Sequence, residues 1–129
     1  MTALLDTDVL IDFLRGAAAA KTWLQGAGSE QFQVPGVVAM ELVNGCRDAA
    51  ELRRLTTFLD QFTLTWPDAS ENIRAYQLLR TYRLTTALSI PDCLIAAMAI
   101  ARGMRLYTFN LKHYSQIAGL EVRQPYPRA

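Results

Sequence analysis

The sequence predicts an α/β domain: a mostly parallel central sheet flanked by helices. Two observations predict it. Short apolar runs alternate along the chain with longer segments whose apolar residues recur at helical spacing, and glycine or proline marks most of the boundaries between them. Strands that alternate with helices pair in parallel, because each helix supplies the crossover that a parallel neighbour requires.

The elements follow in order. "TALL" suits a short buried strand, and "TDVLIDFLRG" continues with helical spacing and a terminal glycine. "AAAAKTWLQGAG" predicts a second helix that stops at its glycines, "QFQV" a short strand, and "PGVVAMELVNG" a turn that opens a helix. "DAAELRRLTTFLDQF" is amphipathic and leads into a strand at "TLTW". "DASENIRAYQLLRTYRL" predicts a longer helix, and "PDCLIAAMAIARG" another with proline at its start and glycine at its end. "MRLYTF" and "LEVRQ" are the last strands.

Composition narrows the class. With 129 residues, 51% hydrophobic and 19% charged, the chain suits a single globular domain over residues 1–129 rather than disorder. Cys46 and Cys93 stand alone, without a CxxC or a histidine-rich tract, which excludes a zinc site and a disulfide framework and fits a reducing cytoplasm. No apolar run approaches the roughly 18 residues of a membrane span, and Asp6 interrupts the N-terminal stretch before it could act as a signal-peptide core.

The net charge of +1 conceals an asymmetry: residues 1–72 carry ten acids and five bases, and residues 73–129 two acids and eight bases. The basic half could attract phosphates. The plainer reading, and the favoured one, is that its arginines are solvated or neutralise acids within the fold.

Five acids stand in apolar company. Asp6 ends the first strand, where the crevice of an α/β sheet lies, although a carboxylate there would also cap the next helix. Asp8 in the first helical turn and Asp12 on the outer face are assigned to structure. Glu41, flanked by "VVAM" and "LV", either reaches solvent or is buried at a cost of several kcal/mol without a partner. Asp92 fits a capping box with Ser89. Taken together, Asp6, Glu41 and Asp92 open three α/β units. If they converged they would repel and raise one another's pKa unless a cation neutralised them. Hard oxygen ligands point to Mg²⁺ or Mn²⁺, and hence to phosphodiester hydrolysis.

"LLDTDVLID", "AMELVNG", "IPDCLIAAMAIARG" and "LYTFNLKHY" occur in the order and spacing of a PIN-domain ribonuclease. Over residues 2–123 the chain resembles in particular the VapC-type toxins of bacterial toxin–antitoxin pairs. The resemblance implies a three-layer sandwich that cuts RNA with Mg²⁺ or Mn²⁺. Asp6 and Asp92 match direct metal ligands, Glu41 a ligand through water or an orienting base, and Thr108 and Asn110 a segment that positions the acids or the water. Where many relatives carry a fourth acid this chain offers Asn110 and His113, which implies one ion with ligands completed by substrate. The resemblance further implies a homodimer and a small antitoxin partner. Trp23, Phe58, Leu59 and Phe62 are either apolar faces for a partner or core.

Two rivals remain at this level. "LLDTDVL" also fits the opening of a haloacid-dehalogenase-like phosphatase, with Asp6 as nucleophile and Asp8 as acid/base. That mechanism needs a later acidic pair, and after Glu71 only Asp92 and Glu121 remain. A PIN-like module that binds RNA or protein without cutting is the other.

Overall fold

The computed structural model describes residues 1–128. Five strands, β1 (Thr2–Leu5), β2 (Gln31–Pro35), β3 (Thr63–Thr65), β4 (Arg105–Tyr107) and β5 (Val122–Arg123), form one sheet in the order β3-β2-β1-β4-β5. Every pairing is parallel, so the expectation of a mostly parallel sheet is met in full. Helices α1 (Thr7–Leu14) and α2 (Ala18–Gln25) connect β1 to β2, and α3 (Gly36–Asn44) and α4 (Ala49–Leu59) connect β2 to β3. Helices α5 (Ala69–Tyr82) and α6 (Ile90–Arg102) carry the chain back across the sheet to β4, and a short α7 (Leu111–Tyr114), which the sequence pattern did not announce, precedes β5.

The strand order reverses direction between β1 and β4. Right-handed crossovers then put α1 to α4 on one face and α5 to α7 on the other. The sheet is buried from both sides: Ala3, Leu4, Leu5, Val34 and Leu106 are almost wholly excluded from solvent. This is why β1 reads as a continuous apolar run rather than an alternating one.

Caps set the helix boundaries. Asp6 accepts from Thr7 N at the start of α1, and Asp48 accepts from Glu51 N at the start of α4. Reciprocal capping boxes open α5 (Asp68 with Glu71) and α6 (Ser89 with Asp92). Gly103 ends α6 in the left-handed region, with φ of 62°, where a side chain would be strained. Gly36 begins α3 directly beneath the Trp66 ring, leaving no room for a Cβ. Helices α5 and α6 are tied by Glu71, only 3% exposed, which accepts from Arg102 Nε at 2.8 Å and Nη2 at 2.7 Å. Such a forked pair holds its geometry better than a single-point contact.

The apolar residues left open by the sequence pack into or against the core. Trp23 lies among Phe13, Phe32, Tyr107 and Tyr126, with ring centroids 4.8 to 6.5 Å away, and Leu59 is buried. Phe58 and Phe62 are half-buried against the same core.

Candidate active site

The site forms at the carboxyl ends of β1 and β4, the point where the strand order reverses and where parallel sheets open a crevice. Leu5 pairs with Tyr107 in the last rung of the ladder, so the next residues, Asp6 and Thr108, emerge side by side. Asp6 N donates to Tyr107 O at 3.0 Å, and the Thr108 hydroxyl donates to Asp6 Oδ2 at 2.9 Å. Asp6 is 7% exposed, and burial, followed by the charges of Asp8 and Asp92, pushes its pKa up to about 6.

Asp8 joins this group. Its Oδ2 accepts from Phe109 N at 3.1 Å and approaches the Thr108 hydroxyl at 3.4 Å, while its Oδ1 is buried without a hydrogen-bond partner. Burial raises its pKa as well, against hydrogen bonds from Phe109 and Val9. An orphaned carboxylate oxygen costs free energy unless something completes it.

Asp92 enters from the first turn of α6. Its Oδ2 accepts from Ser89 N at 3.0 Å, and its Oδ1 accepts from the hydroxyl of Tyr114 at 2.9 Å. Tyr114 is fully buried, and its hydroxyl is held protonated by burial and by the charges of Asp6 and Asp92. Glu41, on α3, is exposed at the rim; desolvation and then the charge of Asp92 raise its pKa, with Thr7 opposing the shift. Asp92 therefore lies within electrostatic reach of both Asp6 and Glu41, although the three are far apart in the chain.

Asn110 stands beside them. Its N–H donates to the Thr108 hydroxyl oxygen at 3.0 Å, and its side-chain amide pairs with His113 Nδ1 at 2.7 Å. Thr108 thus gives its proton to the acids while receiving one from the next turn, and this fixes the direction in which its hydroxyl points.

All the donors here are hard oxygens, which suits Mg²⁺ or Mn²⁺ over softer metals. Among the described residues no three Asp, Glu, His or Cys side chains close around a point tightly enough to hold an ion by themselves. Mg²⁺ commonly takes one or two carboxylates and leaves its other positions to water and substrate phosphate, so an open acidic group fits it.

A model of the family described as the PIN domain matches residues 3–120. The chain belongs to the PIN-domain family. Among curated relatives, Ribonuclease VapC10 of Mycobacterium tuberculosis is 35% identical over 122 residues, covering 92% of this chain and 90% of that one. Ribonuclease VapC1 of Rickettsia felis is 30% identical and covers 95% of each chain. A toxin–antitoxin complex from Klebsiella pneumoniae shares the fold with a TM-score of 0.79 at 30% identity, over 96% of this chain and 98% of that one. VapBC2 from Rickettsia felis, bound to a promoter DNA fragment, has a TM-score of 0.82 at 20% identity, over the same shares of the two chains.

In this PIN domain two residues at the site escaped the sequence reading. Asp8 was assigned to helix structure, yet it turns toward the β4–α7 loop. Tyr114 carried no local signal, because its partner Asp92 lies 22 residues away. Asp12, expected on an outer face, instead accepts from the Tyr126 hydroxyl at 2.7 Å and from Arg128 at 2.9 Å, latching the C-terminal segment to α1. Glu121, one of the two late acids left to the phosphatase reading, is engaged by Arg105 and Arg123.

Proposed function

We propose that this chain is a Mg²⁺- or Mn²⁺-dependent endoribonuclease, the toxin of a toxin–antitoxin pair, acting in the cytoplasm as a homodimer that a small cognate antitoxin inhibits. The observation that supports the reading is the buried Asp6 at the carboxyl end of β1, its carboxyl pushed up to about 6, with Asp92 in electrostatic reach of it and Glu41 in reach of Asp92. The similarity to ribonucleases named VapC over nine-tenths of the chain supports the substrate class. The similarity to solved toxin–antitoxin complexes supports the partner.

Asp6 and Asp92 would hold the ion, with Glu41 at the rim as a ligand through water or as a base. The ion, when bound, supplies charge neutralisation and polarises a phosphoryl oxygen. The residues of the chain do the rest. Thr108 orients the Asp6 carboxylate, and Tyr114 orients that of Asp92. Glu41, whose pKa is raised, takes a proton from water more readily than an ordinary glutamate. Asn110 secures the Thr108 hydroxyl from the other side.

Cleavage of labelled RNA in Mg²⁺ but not in EDTA, lost in Asp6→Asn and Asp92→Asn, is the expected outcome. Release of phosphate from small esters by a protein that leaves RNA intact would establish the phosphatase instead. RNA binding without cleavage in either metal would establish the non-cleaving module.

A further inference from the structure

The acidic site repels the polyanion it is proposed to cut, so the strand must be held by cations nearby. Half of the eight bases in the C-terminal half are not free to do this. Arg102 is committed to Glu71, Arg105 to Glu30 and Glu121, Arg123 to Glu121 and Arg128 to Asp12. Among the described residues the other four, Arg74, Arg80, Arg83 and Lys112, make no ion pair and no side-chain hydrogen bond; Arg80 lies over the Tyr76 ring, and Arg83 and Lys112 face the same cleft from two different elements.

They line one cleft of about 480 Å³, between the α5–α6 turn on one side and α7 on the other. Its wall includes His113 and Gln116, and it contains no carboxylate. The volume lies in the range of sites that take nucleotide-sized groups. The frame is fixed: Thr86 N and its hydroxyl both donate to Tyr82 O, and the Tyr82 hydroxyl accepts from Ala118 N, which ties the α5 side to the segment after α7.

Two of its wall residues, His113 and Arg83, connect it to the neighbourhood of the acids. His113 is bonded to Asn110, which is bonded to Thr108 and through it to Asp6. Arg83 also borders a second cleft of about 350 Å³ that reaches Ser89, whose N–H holds Asp92. The structure assigns the Arg83–Lys112 cleft as a subsite for a backbone phosphate of the RNA strand flanking the bond to be cut. This rests on the ribonuclease reading and adds to it the path of the strand.

The test measures binding of a fluorescein-labelled single-stranded RNA of about 12 nucleotides by anisotropy, in an Asp6→Asn background that cannot cut, from about 50 to about 300 mM KCl. Adding Arg83→Gln and Lys112→Gln together is expected to raise Kd at least tenfold and to reduce the salt slope by about 0.7, the value for one phosphate contact with a single strand. Arg53→Gln with Arg54→Gln, on α4 and outside the cleft, should leave both unchanged. Equal Kd and slope in the Asp6→Asn parent and in the Arg83/Lys112 variant would overturn the subsite while leaving the ribonuclease reading intact. A parent that binds no RNA, together with a wild type that cuts none, would overturn both. Unchanged RNA binding with loss of binding to an acidic protein partner would reassign the cleft to that partner and overturn the subsite.

Discussion

Thr108 Oγ1 lies 2.9 Å from Asp6 Oδ2 although the two residues are 102 positions apart. The contact is a product of register: Leu5 and Tyr107 are the last paired residues of β1 and β4, and Asp6 and Thr108 are the next residue on each strand. The hydroxyl donates to an acid and accepts from Asn110 N, so its orientation leaves little freedom to the Asp6 carboxylate.

Thr108→Val keeps the shape but removes this donor. RNA cleavage should fall about 10- to 100-fold, the usual cost of losing a residue that orients a metal ligand, and the Mg²⁺ concentration for half-maximal rate should rise. Thr108→Ser, which restores the hydroxyl, should recover most of the activity. Equal loss in the valine and serine variants would show that packing, not the hydrogen bond, matters at this position.

Asp6 links activity to stability. Its pKa in the folded, metal-free protein is about 6, against an ordinary 3.8. The folded state therefore holds the proton more tightly than the unfolded chain does. The associated stability is complete below about pH 4 and is lost as the pH rises through 6. At pH 7.5 in EDTA, Asp6→Asn should be more stable than wild type by an amount on the order of 2–3 kcal/mol, and so melt at a higher temperature, because asparagine keeps the helix cap without the buried charge. The two melting curves should approach one another at pH 4. A variant less stable than wild type at pH 7.5 would refute this account.

The same repulsion gives a metal prediction that needs no RNA. Mg²⁺ or Mn²⁺ at millimolar concentration should raise the melting temperature of wild type at pH 7.5 and should do so much less for Asp6→Asn or Asp92→Asn, since a ligand bound only by the folded state stabilises it by mass action. Identical shifts in all three proteins would count against these acids as ligands.

Tyr114 is the fourth test. Its hydroxyl donates to Asp92 Oδ1 from a fully buried position. Tyr114→Phe removes one oxygen and should preserve the fold. Loss of a hydrogen bond to a charged acceptor is typically worth about 1.5–3 kcal/mol, or at least tenfold in rate if it is felt in the transition state. The Mg²⁺ concentration for half-maximal rate should rise with it, because Tyr114 would no longer orient Asp92 Oδ1; an unchanged Mg²⁺ requirement together with a lower melting temperature would make Tyr114 a packing residue only.

Much of this was legible from the chain alone because it is local. Alternating segment lengths, capping residues and terminal glycines are set within a few residues of each boundary, so the order of strands and helices follows from the sequence, except for the four-residue α7. Asp6, Glu41 and Asp92 could be chosen as candidates because each begins an α/β unit, and such positions face the crevice of a parallel sheet.

The tertiary structure decided what depends on distant partners. It drew Asp8 toward Phe109 and committed Asp12 to Tyr126 and Arg128, each contact spanning about 100 residues or more. Tyr114 became the partner of Asp92, ion pairs engaged four of the bases in the basic half, and two of the other four, Arg83 and Lys112, came to face one cleft. The physical reason is that a residue's type and spacing fix which helix or strand it joins, whereas the charge and hydrogen bonds it meets are fixed by the sheet order that folds β4 against β1.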